Sequence, residues 1–272
     1  MNRNWFGISA AGKAVLMAAA VAVTFTALPA QALDLDEVLA RHYQARGGLD
    51  AIKAVDSSRI SGSMDSAGNV SPYTMEAKRP GKLRLEFQVY GMTGIQAVDG
   101  DSGWQVLPFM GIVEPAPMSA DELRGFRNQA DMDGALVDWQ AKGHSVSLVG
   151  SEEIDGVEAW RLDVGLADGD RLVIWLDAER FLDLKWQVHT QREGQPMQMD
   201  VAMSDYRQVD ALTIPHRLEQ QIQGMPFVQV MTVDDYQLNV DIDDARFAMP
   251  AAAADAAEDV EEAEPVAADQ AQ

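Results

Sequence analysis

Chemistry needs particular side chains brought to particular spacings, and the 272-residue chain offers few. Its four histidines, His42, His144, His189 and His216, fall on unrelated stretches, with no HExxH and no pair at metal-ligand spacing. Cysteine is absent, so neither a zinc or haem site nor a thiol nucleophile has parts to build from. No GxSxG occurs, and no Ser-x-x-Lys lies where it would make a nucleophile. No metal or cofactor is expected.

Paired carboxylates are the remaining route to acid–base work or calcium binding. Asp99 and Asp101 in DGDSG have the Asp-Gly chemistry of a tight turn between strands. Asp241, Asp243 and Asp244 lack the glycine and distant glutamate of a calcium loop. GMTG, residues 91–94, links two strand patterns and opens no helix, so it is no phosphate cradle. The residues predict a protein that is not an enzyme.

What stands out instead is apolar. In GQPMQMDVAMSDY, residues 194–206, Met197, Met199, Val201 and Met203 alternate with Gln198, Asp200, Ala202 and Ser204, the period of a half-buried strand. Methionine is an unusual choice for a strand, where β-branched and aromatic residues prevail, and it suits a surface that adapts its shape. Two uses fit: filling the gap between a curved sheet and irregular helices, or lining a deformable cavity for flexible acyl chains.

The elements that would position such a face are legible. Residues 1–32 read as an export signal: Arg3 and Lys13 precede the run AVLMAAAVAVTFTAL, and Ala30-Gln31-Ala32 supplies the small-x-small cleavage pattern. The run is shorter than the roughly 20 residues of a membrane span, and no second candidate follows, so the mature chain has no expected transmembrane segment. With no cysteine to acylate, a free periplasmic protein is the expectation. The formal charge of −22 excludes nucleic acid as a partner, because that binding depends on Lys and Arg. AAAADAAEDVEEAEPVAADQAQ, residues 251–272, reads as a disordered acidic tail. Residues 33–250 remain for one domain.

Within them, Leu35, Val38, Leu39, His42 and Tyr43 recur at helical spacing before Gly47-Gly48, and LDAIKAV predicts a second short helix. A long antiparallel meander of ten to twelve strands follows, with alternation at Ile60 to Met64, Tyr73 to Ala77, Leu83 to Val89, Trp160 to Val164, Leu182 to Val188 and Met197 to Met203. Between Pro108 and His144 helix signals interrupt it: Ser119 with Glu122 forms a capping box, and Met132, Leu136 and Trp139 share a helical face after Asp131. One sheet with one apolar face needs a cover, and these helices are the candidates.

HYQARGGLDAIKAVDSSRISGSM, RPGKLRLEF, VDGDSGWQV, DGVEAWRLDV, VIWLDAERFLDLKW, SDYRQVDALTIPHRLE and LNVDIDDARFAMP, taken in that order over residues 35–250, resemble the LolA-like periplasmic lipoprotein carriers. The resemblance implies a mainly β fold with helices: an incomplete, strongly curved antiparallel barrel whose concave face holds lipid beneath an N-terminal helix and a helical insert. It implies lipid or acylated lipoprotein as partner, with an inner-membrane transporter as donor or an outer-membrane receptor as acceptor. The long strand-rich middle and the acidic tail depart from the carriers. The strand residues expected to line the cavity are Leu83, Leu85, Phe87 and Val89, then Leu182, Leu184 and Trp186, then Met197, Met199, Val201 and Met203. The expected movable cover is Met118, Leu123, Phe126, Met132, Leu136 and Trp139. The alternative is a regulatory or assembly module that binds an envelope protein while its own side chains fill the interior.

Overall fold

The computed structural model describes residues 33–250 apart from 193. The expected export signal and acidic tail lie outside the described residues. Asp34 caps the first helix, α1 (Leu35–Ala45), its carboxylate accepting from Glu37 N at 2.9 Å. Gly47 (φ +119°) and Gly48 (φ +95°) end it, and a short second helix, α2 (Leu49–Lys53), leads into the sheet.

Thirteen strands follow: β1 (Ser57–Ser66), β2 (Asn69–Lys78), β3 (Lys82–Val89), β4 (Met92–Asp99), β5 (Ser102–Leu107), β6 (Ile112–Pro117), β7 (Ser145–Ile154), β8 (Val157–Gly165), β9 (Arg171–Asp177), β10 (Asp183–Arg192), β11 (Gln195–Val209), β12 (Leu212–Ile222) and β13 (Gln229–Leu238). They form one antiparallel sheet in the order β6-β5-β4-β3-β2-β1-β13-β12-β11-β10-β9-β8-β7. Every neighbour is sequential except at the seam between β1 and β13, which joins the two halves of the chain. The edges, β6 and β7, do not pair with each other, so the sheet curves without closing into a barrel. β6 was not anticipated as a strand: Pro115 and Pro117 interrupt its pattern, and an edge strand tolerates the missing donors.

The segment between β6 and β7 crosses the concave face. Ser119 and Glu122 form the anticipated capping box for α3 (Ala120–Gln129). Leu123, Phe126, Met132 and Ala130 then pack against Ala77, Leu83 and Val98 of β2 to β4. Gly103 makes this approach possible, since a Cβ there would lie 2.8 Å from Leu123 Cδ1 and 2.9 Å from Met118 Sδ. The helix expected after Asp131 does not form. Residues 131–143 are a series of turns, with Gly134 at φ +82°, Asp138 at +51° and Gly143 at +75°, pinned by Lys142 to Asp131 and by Arg79 to Asp133. These local hydrogen bonds and left-handed residues outcompete a helical period that only three apolar residues support. On the other half, Val38 and Leu39 of α1 join Leu136 in a core with Leu162, Val164, Leu172, Ile174 and Leu176.

Candidate lipid-binding cavity

The two covers meet the sheet on either side of its middle, and between them a cavity of about 360 Å³ remains. That is within the range of about 300–1,000 Å³ usual for small-molecule sites. Its floor is the seam: Ile60 of β1, Tyr73 and Met75 of β2, Met231, Val233 and Tyr236 of β13, and Leu218 of β12. Trp186 and Met203 extend it toward β10 and β11, and Met132, Gly134, Ala135 and Leu136 of the insert close it from above. The lining is mostly hydrocarbon, thioether and aromatic.

A few polar groups sit at one side. His42 on α1 is buried, and its Nδ1 donates to Phe181 O at 2.8 Å. Burial holds its pKa below the usual histidine value despite the nearby carboxylate of Asp183. Asp183 is also buried and accepts from Trp186 Nε1 at 2.8 Å, while the Tyr206 hydroxyl donates to its backbone carbonyl at 2.7 Å. Desolvation pushes the Tyr206 pKa up and that of Tyr73 up to about 12, so both phenols stay neutral. Among the described residues no group of three His, Cys, Asp or Glu side chains converges to hold a metal.

The cover is fastened at several points: Lys53 pairs with Asp138 at 2.6 Å, Arg127 with Asp101 at 2.9 Å, and the Tyr43 hydroxyl donates to Leu136 O at 2.5 Å. Arg79, at the end of β2, donates to both oxygens of Asp133 at 2.6 and 2.8 Å, and its Nε donates to Val55 O at 2.6 Å. One guanidinium therefore ties the insert, the end of α2 and the sheet together. The hydrogen bonds from Arg79 hold the Asp133 carboxyl below the usual aspartate range.

No family model matches the chain, and no curated protein matches it. Solved structures do. A LolA superfamily protein from Nitrosomonas europaea superposes with a TM-score of 0.55 over 80% of this chain and 98% of its own, at 16% identity. A DUF1329 family protein from Desulfovibrio piger gives 0.54 over 79% and 97%, at 14% identity. A domain from Vibrio parahaemolyticus, assigned provisionally to outer membrane lipoprotein sorting, gives 0.51 over 78% and 94%, at 12% identity. The fold is LolA-like.

Within this LolA-like sheet the anticipated site residues separate into groups. Leu83, Trp186, Met203, Met132 and Leu136 line the cavity. Leu85 and Phe87 share its face but pack farther along, against Ile60, Met64, Tyr73 and Val233. Val89 is half-buried at the far end of β3. Met197, Met199 and Val201 lie on the same face of β11, opposite Thr190, Val188 and Trp186, yet do not reach the cavity. Leu182 is buried in the connection before β10.

Leu184 is on the wrong side. Between Asp183 and Lys185 the pairing with β9 shifts by one residue, so Asp183 opposes Leu176 and Lys185 opposes Trp175. This bulge breaks the period of two that put Leu182, Leu184 and Trp186 on one face, and Leu184 packs with Ala159, Val173 and Trp175 on the outside. Of the expected cover, Met118, Leu123, Phe126 and Trp139 pack without lining the cavity. The larger omission is the floor itself. Ile60, Tyr73 and Met75 carry visible alternation, but only the β1–β13 pairing makes them central, and no local pattern specifies that contact.

Proposed function

We propose that this protein binds lipid, or the acyl chains of a lipoprotein, in the concave cavity and carries it through the periplasm toward the outer membrane. The observation that carries the reading is the apolar volume between the central strands and the insert, closed by a cover that side-chain contacts such as Arg79 to Asp133 hold in place. A flexible chain offers no hydrogen bonds to read, and the lining offers few to read with. Methionines at Met75, Met132, Met203 and Met231 let the walls repack around different chains. The LolA-like fold is in keeping with this, as is the expected export signal; no helix among the described residues is long and apolar enough to cross a membrane.

Native mass spectrometry of the protein purified from its own cell envelope tests the reading. The expected spectrum contains an adduct that dissociates as a fatty acid, phospholipid or acylated peptide. An adduct-free spectrum, together with no uptake of a fluorescent fatty acid or acylated peptide, overturns it.

A further inference from the structure

The covering helices leave one end of the β1–β6 half bare. α1 and α2 lie over the end that carries Arg79 and the β11–β12 turn, where Gly47 meets Ala211, and α3 runs from the Asp99-to-Ser102 turn, where Arg127 pairs with Asp101, across to the other half, where Arg124 reaches Asp170 and Gln191 O and Asn128 reaches Asp168. The opposite end is formed by hairpin tips. Antiparallel order places the β1–β2, β3–β4 and β5–β6 tips there, and the pairing of Ser66 with Gln229 sets the β12–β13 tip beside the first.

These four adjacent tips carry most of the large apolar side chains that the described surface exposes. Tyr90 is 83% exposed, Val113 69%, Val70 67% and Met110 59%, and Met225 and Phe227 stand on the fourth tip. Segments 88–93, 107–113 and 221–229 contain no charged residue, in a chain where 24% are charged. Only Asp65, whose carboxylate accepts from Gly68 N at 2.7 Å, and Glu114 border them. The lip is also continuous with the interior. Phe87 meets Phe109 edge-on at 5.8 Å above Gly94, where a Cβ would lie 3.0 Å from either ring, and Phe87 belongs to the cluster that reaches the cavity through Met75 and Met231.

We infer that this uncharged apolar lip seats in the interfacial zone of a zwitterionic phospholipid bilayer, with these four hairpin tips against the membrane. Separate protruding knuckles of Tyr, Met, Val and Phe suit penetration among headgroups, where amphipathic aromatic rings are favoured. A protein interface would need a packed central pocket for its anchors. Contiguous exposed apolar surface on a water-soluble domain needs an occupant. The charge distribution selects the lipid: the rest of the protein is strongly acidic and the lip has no base to offset it, so anionic headgroups repel what neutral ones accept. The purpose of the lip, exchange of a chain between bilayer and cavity, rests on the lipid-binding reading; its geometry does not.

Flotation of the purified protein with phosphatidylcholine vesicles tests the lip. We expect the wild type to float, half-replacement by phosphatidylglycerol to reduce the bound fraction, and the double variant Tyr90→Asp with Met110→Asp to lose binding about tenfold or more with an unchanged melting temperature. No flotation of the wild type, or flotation that the double variant retains, overturns the inference. If the variant instead loses binding to a purified envelope protein while vesicles bind neither form, the lip is a protein interface and the inference fails. The two readings fail separately. Protein that floats but never carries lipid refutes the carrier, and lipid-loaded protein that never floats refutes the lip.

Discussion

Arg79 and Asp133 are joined by two parallel hydrogen bonds, Nη2 to Oδ1 at 2.6 Å and Nη1 to Oδ2 at 2.8 Å, across the boundary between sheet and cover. Bidentate geometry is the strong form of this pair, and the two side chains are only 27% and 13% exposed. Replacing Asp133 by Asn leaves the guanidinium its backbone acceptors, Val55 O and Ile52 O, and one neutral amide oxygen in place of the carboxylate. The expected cost is about 1–3 kcal/mol, between the values for surface and buried pairs. The expected functional signature is faster exchange of a bound fluorescent fatty acid in stopped-flow displacement. Unchanged exchange would mean that the insert does not gate the cavity.

Cavity volume is separable from the methionine strand. Leu218 is half-buried on the floor, so Leu218→Trp should fill space at an overpacking cost of about 1–2 kcal/mol and cut lipid occupancy by more than half. Met199 shares a sheet face with Met203 but does not line the cavity, so Met199→Ala should leave occupancy unchanged. Counting lipid per protein by mass spectrometry reads both. Equal loss in the two variants would relocate the binding surface along β11.

The seam has a single point of extreme closeness. A Cβ on Gly62 would lie 1.9 Å from Thr232 O and 3.1 Å from Tyr73 Cε1, at the irregularity in pairing between Ser61 and Gly62. Gly62→Ala must therefore push β13 away from β1. A loss of about 3 kcal/mol is expected in urea unfolding, far above the effect of Gly68→Ala at an open turn.

Acid should loosen the fold in two stages. His42 has a depressed folded pKa, so its contribution is complete above the unfolded value of about 6.5 and is lost as pH falls through the folded one. Asp133 and Glu76 are depressed too. Burial pushes Glu76 up, but hydrogen bonds from Arg246 and Arg59 outweigh it; these two contributions begin to fall only below about pH 4.5. His42→Asn keeps a donor for Phe181 O and cannot titrate, so the fall in melting temperature that begins below about pH 6.5 should flatten in that variant. An unaltered slope would place the first stage elsewhere.

How far the sequence carried can be read from single residues. Helix α1, the capping box at Ser119 and the alternation of β11 are local, and each formed as its spacing required. Arg84 with Glu86, and Lys185 with Asp200 at 2.7 Å, pair on the outer face, as a strand period of two demands. Leu184 departs from its strand period because a bulge is set by the pairing of two strands and leaves no mark in the sequence of one. Arg46 and His42, which reach the cavity from α1, gave no signal because one turn of amphipathic helix looks the same over a packed core and over a hollow.

The seam also dictates an order of assembly. Of the twelve neighbouring strand pairs, eleven are consecutive in the chain and joined by short reversals; in the twelfth β1 must find β13, with Ser58 paired to Leu238 near the far end of the described chain. Hairpins close in microseconds, whereas a contact across most of the chain carries the full entropy of loop closure. Each half can therefore zip from its own hairpins into a ladder with a bare inner edge, β1 on one and β13 on the other. Until those edges meet, both are open templates for a second molecule, and a chain that stalls there would exchange halves with its neighbours.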